Sequence, residues 1–215
     1  MTIAVLCTDP RHPVMVPLQQ WAVDMAARGH VVSLYQDKAE LTSGDILFLV
    51  SCSQVIRQSD RDKFTATLVL HASDLPRGRG WSPYVWAVVD GASTITLSLF
   101  EAADSVDTGD IWFKTTFHLE GHELLPEINA RLFEAEVRLM TKAVDEFGTV
   151  APVPQTGDPG PSMPKRTPAD SRLDPHRTIA DQFNLLRVVD NDRYPAFFEL
   201  RGRRYVLRIE HDERV

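Results

Sequence analysis

Apolar and polar positions fall into alternating blocks along the first 150 residues. Residues 3–7 form a short apolar run of the kind that fills a buried strand. Between Pro17 and Arg28, Leu18, Trp21, Ala22, Met25 and Ala26 recur at helical spacing, and Gly29 stops the helix. Residues 31–35 predict a second strand. Residues 45–51 are apolar almost throughout, as a central strand covered on both faces must be. Residues 67–70 predict another strand, which runs straight into His71. Strands alternating with helices predict the α/β class: a doubly wound, Rossmann-like, mostly parallel sheet with helices on both faces.

Beyond residue 80 the pattern changes. Pro83 suits the first turn of a helix over 83–89, which Gly91 closes. Residues 93–100 and 111–119 predict an antiparallel pair with 101–110 between them. Residues 122–147 predict a long helix whose apolar face carries Leu125, Ile128, Leu132, Ala135, Leu139, Ala143 and Phe147. Seven of the 14 prolines then fall in 151–175, marking a linker or a surface-hugging loop. A short helix over 178–188 and a hairpin of 197–200 with 205–209, turning at Arg201 and Gly202, complete the chain. The expected division is a main domain over 1–150, a Pro-rich connection over 151–177 and a small C-terminal helix and β-hairpin appendage over 178–215.

The 215 residues suffice for one sizeable core and a small appendage. Hydrophobic content of 43% and charged content of 25% are ordinary for a globular protein. No apolar run approaches the roughly 18 residues of a membrane span. The start of the chain lacks the basic stretch and long apolar core of an export signal, so a cytoplasmic location is expected. Cys7 and Cys52 sit in apolar runs without Cys-x-x-Cys pairing, which predicts free thiols and no metal. The net charge of −7 argues against a nucleic-acid footprint. In the last third, Arg172, Arg177, Arg187, Arg193, Arg201, Arg203, Arg204 and Arg208 interleave with acids. That mixture fits a small phosphate-bearing ligand better than a strand of nucleic acid.

Chemistry concentrates in two stretches. His71-Ala-Ser-Asp-Leu-Pro-Arg-Gly-Arg-Gly-Trp-Ser-Pro83 places a ring base at a strand end, before a loop rich in Gly and Arg. Asp107-Thr-Gly-Asp110 supplies a carboxylate in a tight turn 36 residues after that base. A carboxylate can orient a histidine and favour its charged form, and the pair suits proton transfer in acyl-group chemistry. A lone histidine after a strand also has a purely structural reading. Against it stand two features. Ligands of doubly wound sheets bind beyond the carboxyl ends of strands, and a loop holding Gly78 and Gly80 between Pro76 and Pro83 gives up stability to order.

The pattern His-x-Ser-x-Leu-Pro-x-x-Arg-Gly-x-x-Pro at 71–83, with Asp-Thr-Gly-Asp at 107–110, resembles the signature of the N10-formyltetrahydrofolate-dependent formyltransferases. That superfamily includes methionyl-tRNA formyltransferase, the glycinamide ribonucleotide transformylase and the sugar N-formyltransferases. The resemblance covers most of residues 45–120. Further on, Lys165-Arg-Thr-Pro-Ala-Asp-Ser-Arg-Leu-Asp174, Asp181-Gln-Phe-Asn-Leu-Leu-Arg187 and Tyr194-Pro-Ala-Phe-Phe198 resemble the sugar branch, including its pseudaminic-acid type. Those enzymes act on nucleotide-linked amino-deoxy sugars of surface-glycan pathways. The chain is also short for the C-terminal domain of the tRNA enzymes.

The resemblance implies a formyl group moving from N10 of the folate to a primary amine, with no metal. It assigns His71 to proton transfer and Asp107 to orienting it. One position departs from the family. The pattern Asn-x-His has its Asn two residues before the base, where this chain has Val69. In the family that Asn helps hold the formyl oxygen as it becomes an oxyanion. Loss of one such donor costs on the order of 10²–10³ in rate, and valine has no side-chain donor. Gln54 or, second, Ser53 is the expected stand-in; the other reading of both is a cap for the next helix.

For the folate, the resemblance implies Val50, Ser51, Cys52, Ser53, Val55 and Ile56, with Ala103 and Asp104 of the 101–107 loop. For the nucleotide sugar it implies Ser73, Asp74, Arg77, Gly78 and Gly80. Trp81 either stacks on a ring or belongs to the core, and Lys165 and Arg166 either reach a pyrophosphate or form a solvated pair. Phe197 or Phe198 either walls a base or seals the appendage. Gln182, Asn184 and Arg187 are expected to face the site or an oligomer partner, and a homodimer through the C-terminal elements fits the resemblance. Two alternatives stay open: a formyltransferase acting on another small amine, and an impaired relative that binds folate or a nucleotide sugar.

Overall fold

A computed structural model describes residues 1–212. Its main sheet has six strands in the order β2-β1-β3-β4-β5-β6. β1 (Thr2–Leu6), β2 (Val31–Tyr35), β3 (Gly44–Leu49) and β4 (Phe64–His71) run parallel. β5 (Thr94–Glu101) and β6 (Ile111–His118) run antiparallel to their neighbours. β4 starts at Phe64, earlier than the pattern indicates, because Phe64 and Ala66 are themselves buried in the sheet.

Both faces are covered, but unequally. One face packs on two long helices, α1 (Met15–Ala27) and α4 (Leu125–Asp145). There Ile3, Val5, Phe48, Leu68, Leu70, Leu97 and Leu99 meet Leu18, Trp21, Leu132, Ala135, Leu139 and Ala143 in the principal core. The buried Trp21 indole donates to Thr141 Oγ1 at 2.9 Å, so its one polar group is satisfied. The other face, with Ala4, Leu6, Leu47, Leu49 and Phe64, is covered by Leu41 and short elements. These are a 3₁₀ turn at Lys38–Glu40 and the single-turn helix α2 (Gln58–Arg61). α3 (Pro83–Val89) caps the end of the sheet through Val85 and Val88, against Ile95, Leu119, Ile128 and Val188.

The Pro-rich segment lies bonded along the main sheet. Val153 exchanges backbone hydrogen bonds with Ile111 at 2.8 and 2.9 Å, and Pro164 O accepts from the Trp86 indole at 3.0 Å. The helix expected over 178–188 divides into a 3₁₀ turn (Ala180–Gln182) and α5 (Phe183–Leu186). The division has a cause: Gln182 turns inward, accepting from Asp174 N at 2.7 Å and donating to three carbonyls of 174–178. β7 (Ala196–Leu200) and β8 (Arg203–Leu207) form the hairpin. Its two-residue turn places Arg201 (φ 50°) and Gly202 (φ 72°) in the left-handed region that matches strand twist.

The C-terminal part is tied in by a buried ion pair. Arg187 Nη2 lies 2.8 Å from Glu123 Oε2, with 4% and 2% of the two side chains exposed. Burial works against the Glu123 charge. The amides of Glu120 and Gly121 and the Arg131 guanidinium nevertheless hold its carboxyl down to about 2. Arg187 therefore faces neither a ligand site nor a partner surface, contrary to the sequence expectation.

Candidate active site

His71 ends β4, and strand alternation decides its surroundings. Leu70 and Ala72 point into the α1/α4 core, while Val69 packs on the thinly covered face. His71 shares the face of Val69, where short loops rather than long helices form the cover. Its side chain is about one-tenth exposed and its ring meets Phe100 edge-on at 6.4 Å. Nε2 lies 2.9 Å from the Gly78 carbonyl and 3.8 Å from Asp107 Oδ2. A carbonyl only accepts, so Nε2 carries the hydrogen and the neutral ring has its free lone pair on Nδ1. A proton taken up at Nδ1 would leave a cation whose other edge already faces a carbonyl and a carboxylate.

The loop after His71 curls back on it. Ser73 N bonds His71 O at 2.9 Å, Arg77 N bonds Asp74 O at 3.1 Å, and the Leu75–Pro76 peptide is cis. Lys114 Nζ pins the loop from β6, 2.6 Å from both Asp74 Oδ1 and Leu75 O. Gly80 (φ 107°) donates its amide to Asp107 Oδ2 at 2.9 Å, and a Cβ there would stand 2.4 Å from Met163 O. Asp107 itself is left-handed, with φ 57°. Two motifs distant in sequence are thereby one structure. Gln155, which sequence reasoning missed, joins the same junction. No spacing or composition signal marks it, since it lies in a stretch legible only as Pro-rich.

The residues expected around the folate gather at two neighbouring loops. Val50 is buried at the end of β3, and Ser51 is exposed at φ 48°. Ser53 bonds Thr8 through both its amide and its hydroxyl, at 2.9 and 3.0 Å. Cys52 donates to Gln54 O at 3.6 Å, and burial pushes its thiol up. Cys52, Ile56, Val69 and Ala102 pack on one apolar cluster, and Arg61 at the end of α2 pairs with Asp104 of the 101–107 loop. Val55 is 75% exposed, and Ala103 and Asp104 are also exposed. Gln54 Oε1 accepts from Lys38 N at 2.8 Å, so its carbonyl is engaged with the Lys38–Glu40 turn, while its NH₂ makes no hydrogen bond among the described residues.

On the other side of Gly78 lies a groove of about 250 Å³ that includes Ser73, Asp74, Arg77, Thr94, Thr96 and Met163. A larger hollow of about 430 Å³ lies between α1 and α4, lined by Trp21 and Phe133, and touches neither His71 nor Asp107. The smaller groove is likewise lined by neither His71 nor Asp107, but it includes Gly78, whose carbonyl His71 bonds. Lys165 sits over the half-exposed Trp81 ring at 4.8 Å. Arg166 is turned inward to the carbonyls of Val188 and Asp170 at 3.2 and 3.4 Å, and desolvation lowers its pKa. Phe197 is buried under Arg204 (3.6 Å), and Phe198 stacks on Tyr205 (5.3 Å), so both serve the hairpin. Among the described residues, no group of three or more His, Cys, Asp or Glu could hold a metal ion. No helix among them is long and apolar enough to cross a membrane.

Residues 10–144 match a family model described as Formyl transferase. The methionyl-tRNA formyltransferase of Rickettsia bellii is 28% identical over 130 residues, covering 60% of this chain and 43% of that protein. This chain spans less than half the length of the curated relatives it matches. The structure of HypX from Aquifex aeolicus in complex with tetrahydrofolic acid superposes with a TM-score of 0.81 at 23% identity, over 96% of this chain and 37% of that one. A sugar N-formyltransferase from a Shewanella species superposes with a TM-score of 0.71 at 14% identity, over 99% of this chain and 98% of that one. At these identities the structural likeness speaks to fold.

Proposed function

The chain belongs to the formyl transferase family, and from that membership we propose that it is a sugar N-formyltransferase. It moves a formyl group from N10-formyltetrahydrofolate to the primary amine of a nucleotide-linked amino-deoxy sugar. The observation that carries the reading is the meeting of His71, Gly78, Gly80 and Asp107 at the carboxyl end of β4, inside the span that matches the family. A sugar N-formyltransferase shares the fold end to end, and the acceptor class is taken from the segments at 165–174, 181–187 and 194–198 that resemble the sugar branch. The tetrahydrofolate complex of a protein of the same fold supports the donor.

In this reading His71 Nδ1 takes the proton released as the amine attacks the formyl carbon. The new carbon–nitrogen bond forms, the bond to the folate nitrogen breaks, and that nitrogen leaves with a proton. Asp107 orients the ring and favours its charged form. The apolar wall of Cys52, Ile56, Val69 and Ala102 suits a flat heterocycle, with the Val50 backbone, Ser51, Ser53, Val55, Ala103 and Asp104 around it; the Val50 side chain belongs to the core on the other face. The groove of Ser73, Asp74, Arg77 and Gly78 receives the sugar, with Gly80 two residues further along the loop, and Trp81 and Lys165 flank its phosphates. Arg166 supports this region from beneath. The reading includes a cytoplasmic enzyme and a homodimer through the hairpin, where Leu200, Tyr205 and Val206 are 40%, 47% and 58% exposed.

Val69 favours one competing reading, a relative that binds folate or nucleotide sugar without turnover. Calorimetry beside a formylation assay separates the two. Binding with product supports transfer; binding without product supports the impaired relative.

A further inference from the structure

The His71 loop and the Asp107 turn are bridged by a side chain that neither contains. Gln155 Oε1 accepts from Arg79 Nη2 at 2.9 Å, and Nε2 donates to the carbonyls of Asp107 at 3.0 Å and Gly109 at 2.8 Å. The partners fix the amide's orientation. A guanidinium only donates and carbonyls only accept, so the oxygen faces Arg79 and the nitrogen faces the turn. The segment that delivers Gln155 is anchored on either side of it. Val153 pairs with Ile111, and Met163 bonds Arg79 O at 2.7 Å and Trp81 N at 3.0 Å.

The Asp107 turn needs such a hold. Asp107 stands in the left-handed region at φ 57°, which a non-glycine residue holds where its surroundings fix it. Ala103, Asp104, Ser105 and Val106, just before it, are exposed and bring little packing. The carboxylate makes one hydrogen bond among the described residues, to Gly80 N, and stands 3.8 Å from His71 Nε2. A small shift of the turn would change that separation.

We propose that Gln155 is a positioning residue for the transfer reaction, fixing the Asp107 turn against Arg79–Gly80 and so setting the separation of Asp107 and His71. The proposal rests on the reading of His71 and Asp107 as the proton-handling pair. Gln155→Met keeps length and removes all three hydrogen bonds. Gln155→Glu keeps an acceptor for Arg79 and turns an oxygen against two carbonyls.

Both variants lower kcat by about tenfold or more, with KM for either substrate within about twofold. In an Asp107→Ala background, Gln155→Met costs nothing further, since a residue acting only through Asp107 has nothing left to position. Losses that multiply, or an effect confined to KM, overturn the proposal. Amide exchange gives a readout free of turnover. Gln155→Met speeds exchange at Gly80 by about tenfold or more and leaves Leu97 and Leu99 of β5 unchanged. Unchanged exchange at Gly80 overturns the proposal as well. A parent protein without formyl transfer overturns the functional reading instead, and the exchange result still decides whether Gln155 holds the turn.

Discussion

The Asp107 carboxylate accepts the Gly80 amide at 2.9 Å, which fastens the turn between β5 and β6 to the loop that follows β4. The same oxygen is the one nearest His71 Nε2. Position and chemistry are thus coupled: a backbone hydrogen bond sets where the charge stands relative to the base.

In the proposed reaction, replacing either member of the pair removes the proton acceptor or its orientation. His71→Asn and Asp107→Asn each lower kcat by about 10²–10⁴. Both side chains are small contributors to the principal core, so circular dichroism stays that of the parent. Steady-state rates alongside spectra check this, and full activity in His71→Asn would contradict it.

The oxyanion donor is tested at two positions. Gln54→Ala lowers kcat by about tenfold or more if its NH₂ is the donor, and an unchanged kcat removes Gln54 from the reaction. Val69→Asn supplies a donor at the family position and raises kcat. It also puts an amide into the apolar cluster with Cys52, Ile56 and Ala102, at a cost of about 1–3 kcal/mol in stability. Rates and denaturant midpoints on the same samples separate the two effects.

Much of this was legible in the sequence, for physical reasons that can be named. Hydrophobic period located α1, α3, α4 and the sheet strands, because burial on one face leaves a repeat that residue types reveal. His71 and Asp107 were legible because two motifs carry them. Gln155 was not, since its role depends on where an extended segment crosses the sheet, and no period records a crossing. Arg187 and Gln182 were misplaced toward a ligand or partner because helical spacing cannot tell a polar side chain at a surface from one satisfied inside. Their partners, Glu123 and the 174–178 carbonyls, are set by tertiary contact.

Glu136 on α4 is 6% exposed, and its Oε2 has no hydrogen-bond partner among the described residues. Burial pushes its pKa up to about 8, from 4.5 when unfolded. Below 4.5 both states hold the proton and the group is neutral to stability. Between 4.5 and about 8 the unfolded chain loses the proton first, so stability falls as pH rises. Glu136→Gln removes that loss. Its stabilisation relative to the parent grows from near zero at the low end of this window to on the order of 4 kcal/mol at the high end. Urea midpoints across the window check the slope, and a difference that does not vary with pH would contradict it.

Gly109 sits where β5 and the Asp107 turn touch. A Cβ there would stand 1.8 Å from Glu101 O, which is backbone and has no room to yield. Gly109→Ala therefore costs several kcal/mol, about 3 or more, and lowers activity through the displaced turn. A thermal midpoint within a degree or so of the parent would show that the turn can move.

Mass spectrometry of the chain with N10-formyltetrahydrofolate and a panel of nucleotide-linked amino sugars tests the transfer itself. The expected product is a sugar heavier by one formyl group, formed only with both substrates present and lost in His71→Asn. Folate bound with no formylated sugar across the panel, or product that persists in His71→Asn, would contradict the reading.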